Sequence, residues 1–256
     1  MKFRPRIIGF MCNWSLPADV GVPSTVRIHG YPRIRIVQVM CLGRIDPVII
    51  IETFAKGADG VLLVGCQPPD CHHINGNLHA ERVVKMMKRL IALTGLEPER
   101  IAIRWYSSQD KKGFSGFVRE FSETIGELGP SPVESERPES ELWLNISAAR
   151  NVASDFRLRA FLGRAKELTE SINVYGKSIS PEEFDRLIND VVESEFIRHK
   201  IVLSTNKPLS VGELAKTLSM KPDVVFRHIL NMRRKGMITL DRVQGTTPLY
   251  KASEVP

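Results

Sequence analysis

Four cysteines, Cys12, Cys41, Cys66 and Cys71, are the residues of this chain best suited to carry chemistry. All four fall within the first 71 of its 256 residues. No two form a CxxC pair, and Cys71 follows Cys66 by five residues across the loop Gln67-Pro68-Pro69-Asp70. Thiolates are ligands for soft and borderline metals. Four of them could hold a [2Fe–2S] cluster, a [4Fe–4S] cluster or one Zn²⁺. The plain alternative is four small buried hydrophobes. His72 and His73 follow Cys71 directly. Either could join a ligand set, although polar loop residues serve as well there, because four thiolates already suffice. No nucleophile with an adjacent base stands out, and no nucleotide-binding glycine motif. The pattern therefore suits an electron-transfer subunit better than a self-sufficient enzyme.

These cysteines are useful only if the fold gathers them. Residues 6–11, 33–40 (RIRIVQVM), 60–65 (GVLLVG) and 100–105 (RIAIRW) are apolar and rich in β-branched residues. They read as four buried strands of a parallel sheet. Helices are expected at 46–56, with Asp46 as N-cap and Pro47 in the first turn. Others are expected at 77–94, stopped by Gly95, and at 114–128. Residues 14–31 are broken by Pro17, Gly21 and Pro23. Alternating strands and helices predict an α/β fold, a parallel sheet flanked by helices of flavodoxin or Rossmann type. Cys12, Cys41 and Cys66 each follow a strand. In a parallel sheet the strand carboxyl ends share one edge, where ligands bind.

Residues 129–141 (GPSPVESERPESE) carry three prolines and almost nothing apolar, and read as a linker. Helices follow at 142–168 and 180–203, the second opened by Ser180-Pro181-Glu182-Glu183. Residues 210–218 and 222–235 read as two short helices, and 237–241 and 248–252 as two strands around Gln244-Gly245-Thr246. That order is a winged helix-turn-helix. The expected division is 1–128 as the cysteine-bearing domain, 129–141 as linker, 142–194 as helical connector and 195–256 as winged helix.

The net charge is +7, with 43% hydrophobic and 25% charged residues. This is a globular balance with a bias toward acidic partners. No run approaches the roughly 20 apolar residues of a membrane helix, and the first residues do not make a signal peptide. The chain is therefore read as cytoplasmic, where thiols stay reduced. Arg227, His228, Arg233, Arg234 and Lys235, with Arg242 and Lys251, give the last domain a basic face. Protein docking is favoured over nucleic acid as its use.

The segments FMCNW, VMCLGRIDP, GADGVLLVGCQPPDCHHINGN and RIAIRWYSSQD, spread over about residues 5–125, resemble the delta subunit of methyl-viologen-reducing hydrogenase. The resemblance implies a [2Fe–2S] protein with Cys12, Cys41, Cys66 and Cys71 matching family cysteines. It implies electron relay between a hydrogenase, dehydrogenase or other oxidoreductase module and a flavin- and iron–sulfur-containing heterodisulfide-reductase-like subunit. Such complexes belong to anaerobic metabolism and include electron-bifurcating assemblies. An iron–sulfur redox-sensing DNA-binding regulator is the alternative. The family pattern places a further cysteine at the position held here by Ser15. Either Ser15 replaces a residue that is not a ligand, or the cluster here is altered or lost; four remaining thiolates make the first the simpler expectation.

Overall fold

A computed structural model describes residues 3–15, 34–106, 113–172 and 176–253. Residues 16–31 and the end of the RIAIRWYSSQD segment lie outside them.

The first part of the chain runs β1 (Ile7–Cys12), β2 (Ile34–Val39), α1 (Pro47–Ala55), β3 (Gly60–Cys66), α2 (Gly76–Thr94), β4 (Ile101–Tyr106) and α3 (Gly113–Leu128). The strands form one parallel sheet in the order β2-β1-β3-β4. This is the beginning of the flavodoxin order, and its switch point lies between β1 and β3. β3 is a continuous apolar run because both of its faces are covered. β2 departs from the expectation of four fully buried strands. It is an edge strand, and Arg35, Val37 and Gln38 are exposed.

Side chains alternate across the sheet, so each strand feeds two cores. Phe10, Cys12, Val61 and Leu63 meet Ile50, Ile51 and Phe54 of α1 and Val84, Met87, Leu90 and Ile91 of α2. Ile7, Met11, Leu62 and Val64 meet Phe114, Val118, Phe121 and Ile125 of α3 on the other face.

The helical stretch expected over 142–168 is three helices: α4 (Glu141–Ser154), α5 (Phe156–Gly163) and α6 (Ala165–Glu170). Asp155 breaks it. Its backbone is extended (ψ 119°), and its carboxylate accepts the Leu158 N–H at 2.9 Å, which restarts the helix. Apolar spacing alone makes Asp155 a mid-helix position, because Leu158 and Leu162 remain buried after the turn. α7 (Pro181–Ser204) follows, capped by Ser180. α4, α5 and α7 contribute Ile146, Val152, Leu158, Phe184, Ile188 and Val192 to the core that α1 and α2 line. Val133 of the 129–141 segment lies in that core as well, and Glu134 pairs with Arg6.

The chain closes with β5 (Leu209–Ser210), α8 (Val211–Thr217), α9 (Pro222–Arg234), β6 (Ile238–Gln244) and β7 (Thr247–Ala252). Its three strands are antiparallel in the order β5-β7-β6. Val225, Ile229 and Met232 of α9 pack with Leu214, Ile238, Tyr250 and Ile201, the last from α7. A capping box of Ser210 and Glu213 starts α8. Among the described residues, no helix is long and apolar enough to cross a membrane.

Asp59 fastens the lower end of the sheet. It is fully buried, and its carboxylate accepts the Arg6 N–H at 2.7 Å and the Ser131 N–H at 2.8 Å. The Arg6 guanidinium adds a charge partner. An amide at this position offers one acceptor oxygen and leaves one buried N–H facing a donor. Asp59→Asn is expected to lower unfolding free energy by about 2–4 kcal/mol, read as a lower urea midpoint with unchanged slope.

Candidate metal centre

Cys12 ends β1 and Cys66 ends β3, neighbouring strands at the switch point. Their sulfurs lie 3.7 Å apart. Cys41 follows β2 and opens the turn of Leu42–Arg44, whose Leu42 is buried beneath Gly65. Cys71 arrives on a loop that doubles back on itself. The Ile74 N–H reaches the Cys71 carbonyl at 2.9 Å, and Ile74 sits in the left-handed region (φ 67°). That conformation is costly for a β-branched residue. It delivers Cys71 to Cys41: both sulfurs lie within 3.4 Å of the point where a Cβ on Gly76 would stand. Cys12 also interacts with Cys41, and Cys41 with Cys66. The fold thus brings together all four thiols, which are widely spread along the sequence. None is in a disulfide.

Cys66 and Cys71 are half-buried. Cys12 and Cys41 are buried. Burial pushes the Cys12 thiol up to about 11, and the sulfurs of Cys66 and Cys41 add to the rise. Cys41 is raised as well, by burial first and then by Cys71 and Cys66. Without a metal these are neutral thiols at pH 7, so metal binding must release their protons.

Sequence reasoning missed three supports. Gly76 admits the Cys41 sulfur, because a Cβ there would lie 2.2 Å from it. Gly43 lets two loops touch, since its own Cβ would lie 2.7 Å from the Gly76 carbonyl oxygen. Asn77, buried at the start of α2, donates to the Cys66 carbonyl at 3.3 Å. Glycines beside loop cysteines were the available signal.

Other residues take plainer places. Asp46 caps α1 through the Val48 N–H and pairs with Arg159. Arg44 lines a cavity of about 400 Å³ with Met40, Cys41, Gly43, His73 and Gly76. His72 stacks on Trp14 with ring centroids 3.4 Å apart, and His73 meets the His72 ring edge-on.

Ser15 is buried, and its hydroxyl lies 3.0 Å from the Cys12 carbonyl and 3.1 Å from that of Val64. The hydroxyl is committed to backbone oxygens. Ser15→Ala is expected to cost about 1 kcal/mol of stability, from the lost hydrogen bond. Metal content should stay at the wild-type level, measured by elemental analysis beside urea unfolding.

Comparison with known proteins bears on the cysteine-bearing part. The family model of the methyl-viologen-reducing hydrogenase delta subunit matches residues 7–129. The chain is 35% identical over 133 residues to the iron-sulfur D subunit of F420-non-reducing hydrogenase from Archaeoglobus profundus, covering 97% of that protein and 52% of this one. The chain belongs to the delta-subunit family of methyl-viologen-reducing hydrogenase. A second family relative, the vhc iron-sulfur D subunit of F420-non-reducing hydrogenase from Methanococcus voltae, is 37% identical over 129 residues and is covered to 90%. The delta-subunit sequence also occurs within larger chains. The A subunit of ferredoxin:CoB-CoM heterodisulfide reductase from Methanosarcina mazei is 36% identical over 133 residues, yet this chain spans only 17% of its length. Helices α4 to α9 lie beyond the residues that the family model matches.

Proposed function

We propose that this chain holds a [2Fe–2S] cluster on Cys12, Cys41, Cys66 and Cys71 and works as an electron-transfer subunit. One neighbour would be a flavin- and iron–sulfur-containing heterodisulfide-reductase-like subunit. The other would be a hydrogenase, dehydrogenase or other oxidoreductase module. The observation that carries this reading is the convergence of four free thiols at the sheet's switch point. The donor set fits the group: four soft ligands, two of them buried, and glycines that make room for sulfur. A bound cluster of this kind accepts and donates single electrons. The chain's own residues bind it, exclude water and set its potential through burial and nearby dipoles.

The rim supports a relay. Trp14 (54% exposed), Met40 (63%) and Ile74 (78%) present apolar surface beside the thiols. An apolar rim suits a docked protein and a short electron path. Shared ancestry with iron–sulfur subunits of hydrogenases and with a heterodisulfide reductase chain points to the same assemblies.

For the parts of the chain the reading is an iron–sulfur region over 1–128, a linker over 129–141 whose Val133 packs into the first core, a helical connector over 142–194 that shares that core, and a winged helix over 195–256 that the end of α7 enters. Residues 205–253 hold nine Lys and Arg against three Asp and Glu, which accounts for +6 of the chain's +7. The exposed face of α9 interleaves Arg227 and Arg234 with Phe226 and Leu230, and Asp223 stands at its start. Exposed apolar side chains among the cations suit an acidic protein surface, which has apolar atoms to bury, better than a phosphate backbone.

The test is anaerobic. Purified protein should be brown, carry two irons and two sulfides per chain, and give an EPR signal on reduction. It should comigrate with a large flavoprotein. A colourless protein with one zinc per chain defeats the cluster. Specific duplex binding that changes on oxidation defeats the relay.

A further inference from the structure

α7 presents Glu195 and His199 one turn apart, so both project from the same helical face. Asp155, at the break between α4 and α5, comes up against them. One carboxylate oxygen from each acid and one ring nitrogen of His199 all lie within 4.8 Å of one another.

Glu195 is the unusual member. Its side chain is only 10% exposed. Its Oε1 accepts from Nη1 of Arg198, and Nζ of Lys235 lies 3.6 Å from the same oxygen. Its Oε2 is buried with no hydrogen-bond partner. Buried carboxylate oxygens without a donor are rare, and an ion is one of the few things that explain them. Asp155 spends Oδ1 on the Leu158 N–H and keeps its second oxygen for other use. His199 is partly buried and turns one ring nitrogen toward both carboxylates.

We propose that Asp155, Glu195 and His199 bind one divalent first-row transition-metal ion, at a site separate from the four cysteines. Two oxygens and one imidazole suit Mn²⁺, Fe²⁺ or Zn²⁺. The imidazole disfavours Ca²⁺, which takes oxygen ligands. Arg198 and Lys235 offset charge on Oε1 and so keep the affinity modest. The ion would clamp the α4–α5 break onto α7. Lys235 directly follows α9, so the clamp would also border the C-terminal unit.

Mn²⁺ is the right probe, because it prefers oxygen and imidazole to thiolate. The full-length chain is titrated with MnCl₂ and free Mn²⁺ is followed by its EPR signal. One ion per chain should bind, and it should raise the thermal midpoint. Asp155→Asn keeps an oxygen to cap α5, and Glu195→Gln keeps the side-chain shape. Each should weaken Mn²⁺ at least tenfold, as should His199→Ala. Cys12→Ser should leave Mn²⁺ binding unchanged. Absence of stoichiometric binding would overturn the site, as would wild-type affinity in a folded Asp155→Asn or Glu195→Gln variant. Either result would leave the cluster proposal standing, and loss of iron in cysteine variants would not touch this one.

Discussion

Cys66→Ser should leave the protein folded and colourless, with iron and labile sulfide reduced at least tenfold and no EPR signal after reduction. Cys66 is held by its strand and by two neighbours. It ends the central strand β3, its sulfur is 3.7 Å from that of Cys12, and Asn77 holds its carbonyl. A serine hydroxyl fits the same space but binds iron weakly, because its alcohol pKa lies far above that of a thiol. Cys66 is half-buried at a strand end rather than in the core. The expected loss of stability in the metal-free chain is therefore within about 1 kcal/mol. An iron content equal to wild type would mean that another residue completes the set. His72 and His73 are the nearest candidates in sequence, and His72→Ala and His73→Ala would then be the variants to measure.

Gly76→Ala should abolish the same centre by steric means, with every ligand still present. The added Cβ would stand 2.2 Å from the Cys41 sulfur and 3.4 Å from that of Cys71. Real Cβ atoms essentially never approach below 3.0 Å. The backbone cannot retreat, because Gly43 already packs against the Gly76 main chain. The Cys41 side chain must therefore rotate out of the group. Such overpacking costs about 1–3 kcal/mol. Removing a glycine from the first turn of α2 offsets part of it, by up to about 1 kcal/mol. The net change in urea midpoint should be small while iron falls at least tenfold. That split separates a ligand-geometry effect from unfolding. Wild-type iron in this variant would show that Cys41 is not a ligand.

Much of the architecture was legible along the chain because it rests on local pattern. The four apolar runs became strands, and Val225, Ile229 and Met232 lined the buried face of α9. Asp46 and Pro47 opened α1 as capping chemistry requires. Where local pattern was ambiguous, expectation failed. Apolar spacing continues across Asp155 and predicts one helix where a side-chain cap makes a break. RIRIVQVM reads as β-branched and buried, yet an edge position exposes alternate residues of β2.

The sequence by itself determined the ingredients of this protein: four thiols, three of them at strand ends, a parallel α/β domain and a basic C-terminal segment. Residue type and short-range spacing suffice for these, because they depend on neighbours within a few positions. The tertiary structure alone decided that strand order β2-β1-β3-β4 sets Cys12 beside Cys66, and that Gly76 yields its Cβ space to a sulfur. It also decided that Ser15 faces backbone carbonyls and that a glutamate on α7 is buried with one oxygen unmet. Each of these depends on contacts between residues far apart along the chain, and long-range packing leaves no periodic trace in the sequence.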